Sequence, residues 1–271
     1  MIPTTEQSQK EPRANKQRAP ERDPSYVEAF ARGLRVIRSF GEGRETMTLA
    51  DIAKLTDLPR ATVRRSLFTL GQLGYVIDDG RQFRLTPKVL SLGYAYLSST
   101  PLPRVILPAL EMVSEQVRES CSAAILDGPD IVYIARSATK RIMSVGLAVG
   151  SRLPAYCTSL GRALLAYEPV ERQQAILATS LLKPLTPKTV TDPQTLLGIF
   201  QQVAHQGYAF VDEELELGLR SIAVPVTNAT GHVVAAINIS TQASRLSEET
   251  MCTSLRLALV QAAQSVRSSL L

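Results

Sequence analysis

Tryptophan is absent, histidine occurs only twice, and the three cysteines, Cys121, Cys157 and Cys252, are far apart and odd in number. Scattered thiols of this kind make no disulfide framework and fit buried structural residues in a reducing compartment. Together with two histidines they offer no metal-ligand spacing, so neither a metal site nor a cofactor is expected. The longest apolar run, residues 142–149, is broken by Ser144 and Gly146. It falls well short of the ~18 apolar residues that a membrane span needs. Residues 1–25 are rich in Gln, Pro, Lys and Arg and lack the apolar core of a signal peptide, which reads as a disordered tail on a cytoplasmic protein.

An enzyme would need more than this. A hydrolase using Ser159 or Cys157 would want a G-x-S-x-G turn and a nearby base, and the chain has neither. His205 falls near a helix end and His232 follows a turn glycine, both surface positions. Gly41-Glu-Gly-Arg-Glu-Thr lacks the third glycine of a dinucleotide loop and follows no strand. Catalysis is therefore not expected.

Charge is where the chain becomes informative. Of the net +5, residues 1–100 carry all of it: 16 Lys and Arg against 11 Asp and Glu, whereas residues 101–271 hold 14 of each. A basic module joined to a neutral one points the first half toward a polyanion.

The local pattern agrees. Val27, Phe30, Leu34 and Ile37 recur at helical spacing until Gly41 and Gly43. Thr48 with Asp51 makes a capping box for a second helix, with Ile52 and Leu55 on its buried face. After the short turn Thr56-Asp57-Leu58, Pro59 suits the first turn of a third helix, lined inward by Val63, Leu67 and Leu70 and ended by Gly74. Strands over 75–77 and 82–85, joined at Asp79-Gly80, complete a winged helix-turn-helix. Arg60, Ala61, Thr62, Arg64 and Arg65 then lie on or beside the groove-facing side of the third helix. Arginine there suits guanine, and an Ala or Thr methyl suits thymine. Thr48 suits a phosphate, while Arg81 and Arg84 carry charge on the hairpin to the backbone or minor groove. The expected partner is double-stranded operator DNA, read by a dimer to which the first helix and the helix over 88–97 contribute contacts. Phe68 falls on the exposed side of the third helix, where DNA contact gives no account of it and a dimer interface is the alternative.

A helix opening at Thr86-Pro87 and the prolines at 101 and 103 place a linker over 87–100, between a DNA-binding domain at 26–86 and a second domain at 101–271. There the pattern predicts a helix over 105–119, a hairpin over 122–135 turning at Asp127-Gly128-Pro129-Asp130, and a strand over 142–149. Helices over 159–167, 170–178 and 193–206 follow, then strands over 208–211, 221–226 and 232–240 and a closing helix over 248–269. This mixture reads as α+β on an antiparallel sheet. In the last strand Val233, Ala235, Ile237 and Ile239 face one way, and Asn238 and Ser240 face the other with Val234 and Ala236. Polar groups ending an apolar face, with Ser221 on another strand and Thr158-Ser159 before a helix, are what a small-ligand pocket needs, although each alone also fits a sheet end or a helix cap. Arg141 offers charge to an acid, but beside Lys140 an arginine is more often solvated. Arg220 is expected to pair with Glu213 or Glu214.

These strings carry a resemblance. Leu49-Ala-Asp-Ile-Ala-Lys-Leu-Thr-Asp-Leu-Pro-Arg-Ala-Thr-Val-Arg-Arg-Ser-Leu, Val149-Gly-Ser-Arg-Leu-Pro-Ala-Tyr, Asp212-Glu-Glu-Leu-Glu-Leu-Gly-Leu-Arg-Ser and Ala235-Ala-Ile-Asn-Ile-Ser resemble the IclR-type transcription regulators, in the family's order and over residues 26–271. Phe30-Ala-Arg-Gly-Leu, Ala61-Thr-Val-Arg-Arg and Arg141-Ile-Met-Ser-Val are similar to the branch controlling protocatechuate and 4-hydroxybenzoate breakdown through the β-ketoadipate pathway. The resemblance implies a GAF-like effector domain with a six-stranded sheet, a dimer or dimer of dimers, and a small carboxylate effector, either an aromatic acid or β-ketoadipate. It places the effector site at Val145, Leu153, Ser159, Leu160, Val211, Leu219, Ser221, Asn238 and Ser240. Some relatives that bind a small keto acid carry a carboxylate where this chain has Val211, a departure that favours an aromatic ring.

Overall fold

Capping chemistry and apolar spacing set the first helices of the computed structural model, which describes residues 23–41, 43–138 and 147–270. Two units, divided at Ser91/Leu92, are recognised by the density of contacts within each. In the first, α1 (Glu28–Ser39), α2 (Leu49–Thr56) and α3 (Arg60–Gln72) enclose Val36, Ile52, Val63, Leu67 and Leu70. Thr48 and Asp51 form the reciprocal capping box at the start of α2. Leu55, expected on the buried face of α2, is instead 50% exposed. Thr56 takes the inward position, its hydroxyl donating to the Ile52 carbonyl at 2.6 Å. One residue of helix is 100° of rotation, enough to exchange the two. The apolar stripe of α1 is likewise not its core face: Val27, Phe30 and Leu34 are 64, 67 and 42% exposed.

The hairpin forms as expected, with β2 (Val76–Asp78) against β3 (Phe83–Leu85). Asp79 holds its turn by accepting from the backbone N–H of Gln82 and Arg81, and Gly80 takes the positive φ of 91°. A short strand that the sequence pattern did not reveal, β1 (Thr46–Met47), pairs with β3 and completes a sheet in the order β1-β3-β2. A 3₁₀ turn at Pro87–Val89 leads into α4 (Leu90–Ser99).

The second unit is built on a six-stranded antiparallel sheet in the order β6-β5-β4-β9-β8-β7. Its strands are β4 (Ser120–Asp127), β5 (Asp130–Ser137), β6 (Arg152–Pro154), β7 (Ala209–Asp212), β8 (Leu219–Thr227) and β9 (Val233–Gln242). One face packs on α5 (Leu102–Val117) and the closing helix. That helix runs as α9 (Glu248–Thr250), a π-helical turn at Met251–Leu255 and α10 (Arg256–Arg267). The other face packs under α6 (Ser159–Leu165), α7 (Val170–Thr179) and α8 (Pro193–Gln206). Of the strand expected over 142–149, residues 142–146 lie outside the described residues and 147–149 belong to no strand; the sixth strand is β6.

Two β-bulges overrule simple alternation. On β5, Ala135 lies opposite Ala123 but Tyr133 lies opposite Ala124, which makes Ile134 an extra residue. On β9, Ala235 lies opposite Val226 and Val233 opposite Thr227, so Val234 is the extra one. Each insertion reverses the faces on its far side. Val234 accordingly packs with the α5/α10 core and Val233 with the α6–α8 core, the reverse of the alternation expected from the sequence. Helix α6 lies so close to the preceding turn that a Cβ on Gly161 would sit 2.1 Å from the Ala155 carbonyl oxygen.

Candidate functional site

The basic surface of the first unit is simple in construction. Val63, Leu67 and Leu70 turn inward, which leaves Arg60, Ala61, Arg64 and Arg65 exposed on the other side of α3 and Thr62 half-buried. Arg81 and Arg84 are exposed on the hairpin. Among the described residues none of these five arginines forms a salt bridge. Phe68 is 68% exposed on the same helix. Thr48 is placed at the α2 N-terminus as expected, yet its backbone N–H and hydroxyl both donate to Asp51, at 3.1 and 2.7 Å. The Asp51 carboxylate thus takes both Thr48 donors, held below its usual range by the Thr48 side chain and backbone.

In the second unit, strand register gathers polar groups beneath α6. Arg136, Ser122 and Asn238 fall in one cross-strand row, and Ser120, Ser240, Ser221 and Val211 in the next. A cavity opens over these rows, lined by Arg136, Ser221, Asn238 and Ser240 from the sheet, Cys157, Thr158, Ser159 and Leu160 at the start of α6, and Tyr133, Leu147, Val211, Leu215 and Leu219. Its free space is about 20 Å³. Ser159 and Asn238 are only 1 and 3% exposed. Asn238 donates its amide to Ser240 Oγ at 3.0 Å, but among the described residues Asn238 Oδ1 and Ser159 Oγ have no hydrogen-bond partner. Burial pushes the Cys157 thiol up to about 12, which keeps it protonated and unfit as a nucleophile at neutral pH.

The loop carrying Leu215 is clamped to α6. Arg162, inside that helix, makes a fork-to-fork ion pair with Glu214 at 2.6 and 2.7 Å, and its Nε donates to the Tyr156 carbonyl. Val190 N–H and Thr189 Oγ1 also donate to Glu214, to its carboxylate and carbonyl respectively. Arg220 therefore does not meet Glu213 or Glu214, as the sequence suggested. It donates to Asp212 at 2.6 Å and to the Ala243 and Leu246 carbonyls, while Glu213 pairs with Lys188. Asp212 is held below the usual carboxylate range, chiefly by that Arg220 hydrogen bond.

A helix-turn-helix with an exposed basic helix, followed by a cavity in an antiparallel sheet domain, is matched along its length by known proteins. Residues 29–80 match the IclR helix-turn-helix domain, and residues 94–268 match the bacterial transcriptional regulator IclR C-terminal domain. The chain belongs to the IclR family. This IclR-family regulator is 51% identical over 225 residues to the Pca regulon regulatory protein of Pseudomonas putida, covering 83% of this chain and 77% of that one. Its fold is similar to a transcriptional regulator from Rhodococcus sp. RHA1, with a TM-score of 0.79 and 48% identity over 90% of this chain and 98% of that one. It is also similar to an IclR homologue from Microbacterium hydrocarbonoxydans solved in complex with 4-hydroxybenzoate, with a TM-score of 0.75 and 27% identity over 89% and 98% of the two chains. As in its family, the chemistry is DNA binding and transcription regulation rather than catalysis.

Seven of the residues singled out in the IclR-type pattern, Ser159, Leu160, Val211, Leu219, Ser221, Asn238 and Ser240, line the cavity together. Leu153 does not reach it; it sits on edge strand β6 opposite Ile131 and packs into the apolar cluster there. Val145 and Arg141 lie outside the described residues. Arg136, Tyr133, Cys157 and Leu215 were not foreseen as lining residues. The bulge at Ile134 hides the first pair, because counting by twos from Tyr133 sends Arg136 to the wrong face. Both histidines are exposed, and among the described residues no helix is long and apolar enough to cross a membrane.

Proposed function

We propose that this regulator reads an operator as a homodimer and responds to a small carboxylate effector, an aromatic acid or β-ketoadipate, in controlling genes of aromatic catabolism. In this reading residues 26–86 form the DNA-binding domain, 87–100 the linker and 101–271 the effector domain. Arg60, Ala61, Thr62, Arg64 and Arg65 meet base edges, Arg81 and Arg84 meet the backbone or minor groove, and the α2 N-terminus at Thr48 lies beside a phosphate. The exposed Val27, Phe30 and Leu34 of α1, with Leu90, Leu92, Tyr94 and Tyr96 exposed on α4, support self-association. The Pca regulon relative and the homologue complexed with 4-hydroxybenzoate support the choice of effector.

The observation that carries the sensing role is the pair of buried atoms, Ser159 Oγ and Asn238 Oδ1, unpartnered among the described residues in a cavity that mixes apolar walls with Arg136, Ser221 and Ser240. Such groups are costly unless a ligand completes them. Free space of about 20 Å³ holds a single water. A ring-sized acid therefore enters only by displacing lining side chains, the differential contact through which an effector shifts a conformational balance. The test is thermal unfolding against protocatechuate, 4-hydroxybenzoate, β-ketoadipate and short keto acids. A ligand at ~100 times its Kd should stabilise the folded protein by ~2.7 kcal/mol. A flat response to every acid removes the effector assignment and leaves DNA binding untouched.

A further inference from the structure

We propose that Arg136 anchors the effector's carboxylate and so orients the ligand across the sheet, an assignment that rests on reading the cavity as the effector site. Arg136 is the one charged side chain among the described residues that line the cavity. It reaches that face only because Ile134 is bulged out of β5, which brings Arg136 into register with Ser122 and, one strand further, Asn238.

Its guanidinium is conspicuously under-used. Arginine carries five N–H donors, and here Nη1 donates to Ser122 Oγ at 3.2 Å as the single hydrogen bond of that group among the described residues. No carboxylate of the described residues pairs with it. Three buried or half-buried acids of this unit are held by other cations: Glu214 by Arg162, Glu119 by Arg245, and Asp212 by Arg220 and Lys188. A half-buried cation with no counter-charge among the described residues, beside Ser159 Oγ and Asn238 Oδ1, suits an anionic ligand. The planar guanidinium fork matches a carboxylate, which accepts two parallel hydrogen bonds from it.

The sheet order fixes the polarity of what fits. Arg136 is on β5 and Val211 on β7, four strands away, a span of about 19 Å at ordinary strand spacing. The polar row lies toward the β5 side, while Val211, Leu215 and Leu219 wall the β7 side. The ligand is therefore an acid at one end with its body directed toward β8 and β7, a demand that 4-hydroxybenzoate satisfies, whereas β-ketoadipate would turn a second carboxylate toward the apolar wall.

The experiment is calorimetric titration of the full-length protein with 4-hydroxybenzoate, β-ketoadipate and the neutral isostere 4-hydroxybenzamide, repeated on Arg136→Met and Arg136→Lys. Wild type should favour the acid over the amide, and Arg136→Met should weaken the acid by about 10- to 100-fold, the range for losing hydrogen bonds to a charged group. Its affinity for the amide should stay within roughly threefold of wild type. Arg136→Lys should fall between, since it keeps the charge without the fork; if the Met variant does not fold, the Lys variant carries the comparison. Equal binding of acid and amide by wild type, acid binding unchanged in the variants, or equal loss of both ligands would each overturn the anchor while leaving the cavity as the effector site. A wild type that binds neither acid would overturn both readings.

Discussion

The recognition surface and the cavity hold their functional groups in opposite ways. On α3 and the hairpin the arginines stand in water without salt bridges among the described residues, so waiting for DNA costs the fold almost nothing. In the cavity Ser159 and Asn238 are withdrawn from water and Arg136 is half-buried, each short of partners among the described residues, which costs the fold free energy. Residues of the first kind can be exchanged without disturbing structure. Those of the second kind depend on a supporting frame, the Arg162–Glu214 clamp and the close seat of α6, whose loss reaches the whole unit.

Three variants probe that contrast. The largest effect should come from Arg60→Ala, Arg64→Ala and Arg65→Ala combined. Operator affinity should drop by about 1–3 kcal/mol for each arginine that pairs with a base, with the unfolding midpoint unmoved, as read by DNA titration at several salt concentrations alongside thermal melts. A triple variant that binds its operator normally would remove the recognition helix from the argument. Next, Glu214→Ala strands a guanidinium whose side chain is 4% exposed. Breaking a buried pair from one side costs about 3–5 kcal/mol, and hydrogen exchange should localise that loss to the second unit while the first keeps its protection. Equal loss in both units would erase the distinction drawn above. The smallest effect is expected for Gly161→Ala. Its new methyl meets the Ala155 backbone at 2.1–2.6 Å, which only a shift of α6 relieves, and overpacking costs at least about 1–3 kcal/mol. Denaturant titration should find the midpoint lowered and ligand affinity reduced together, because α6 carries Ser159 and Leu160. A midpoint shift without any change in ligand affinity would separate the seat of α6 from the cavity.

Much of this was legible before any coordinates. The capping box at Thr48, the inward set Val63, Leu67 and Leu70, and the wing turn at Asp79-Gly80 each depend on residues within a few positions of one another. The Asn238/Ser240 face of β9 followed from strict alternation, which holds where no bulge intervenes. What stayed hidden involves distant or irregular partners. Arg162 and Glu214 are 52 residues apart, and nothing local distinguishes Glu214 from Glu213 as the one that turns inward. Strand β1 is two residues long, too short for any periodicity.

The sequence by itself therefore determined the helix-turn-helix, the order of helices and strands apart from β1 and β6, and which residue types could meet DNA, because capping, turn chemistry and apolar period act over one or two turns of chain. Only the tertiary structure decided which side chains share the cavity. Bulges at Ile134 and Val234 set the faces of β5 and β9 through cross-strand register, and the competition among Arg162, Lys188 and Arg220 for Asp212, Glu213 and Glu214 was settled by which cation packing brought within reach. Register and burial are properties of the assembled sheet, and no short window of residues contains them.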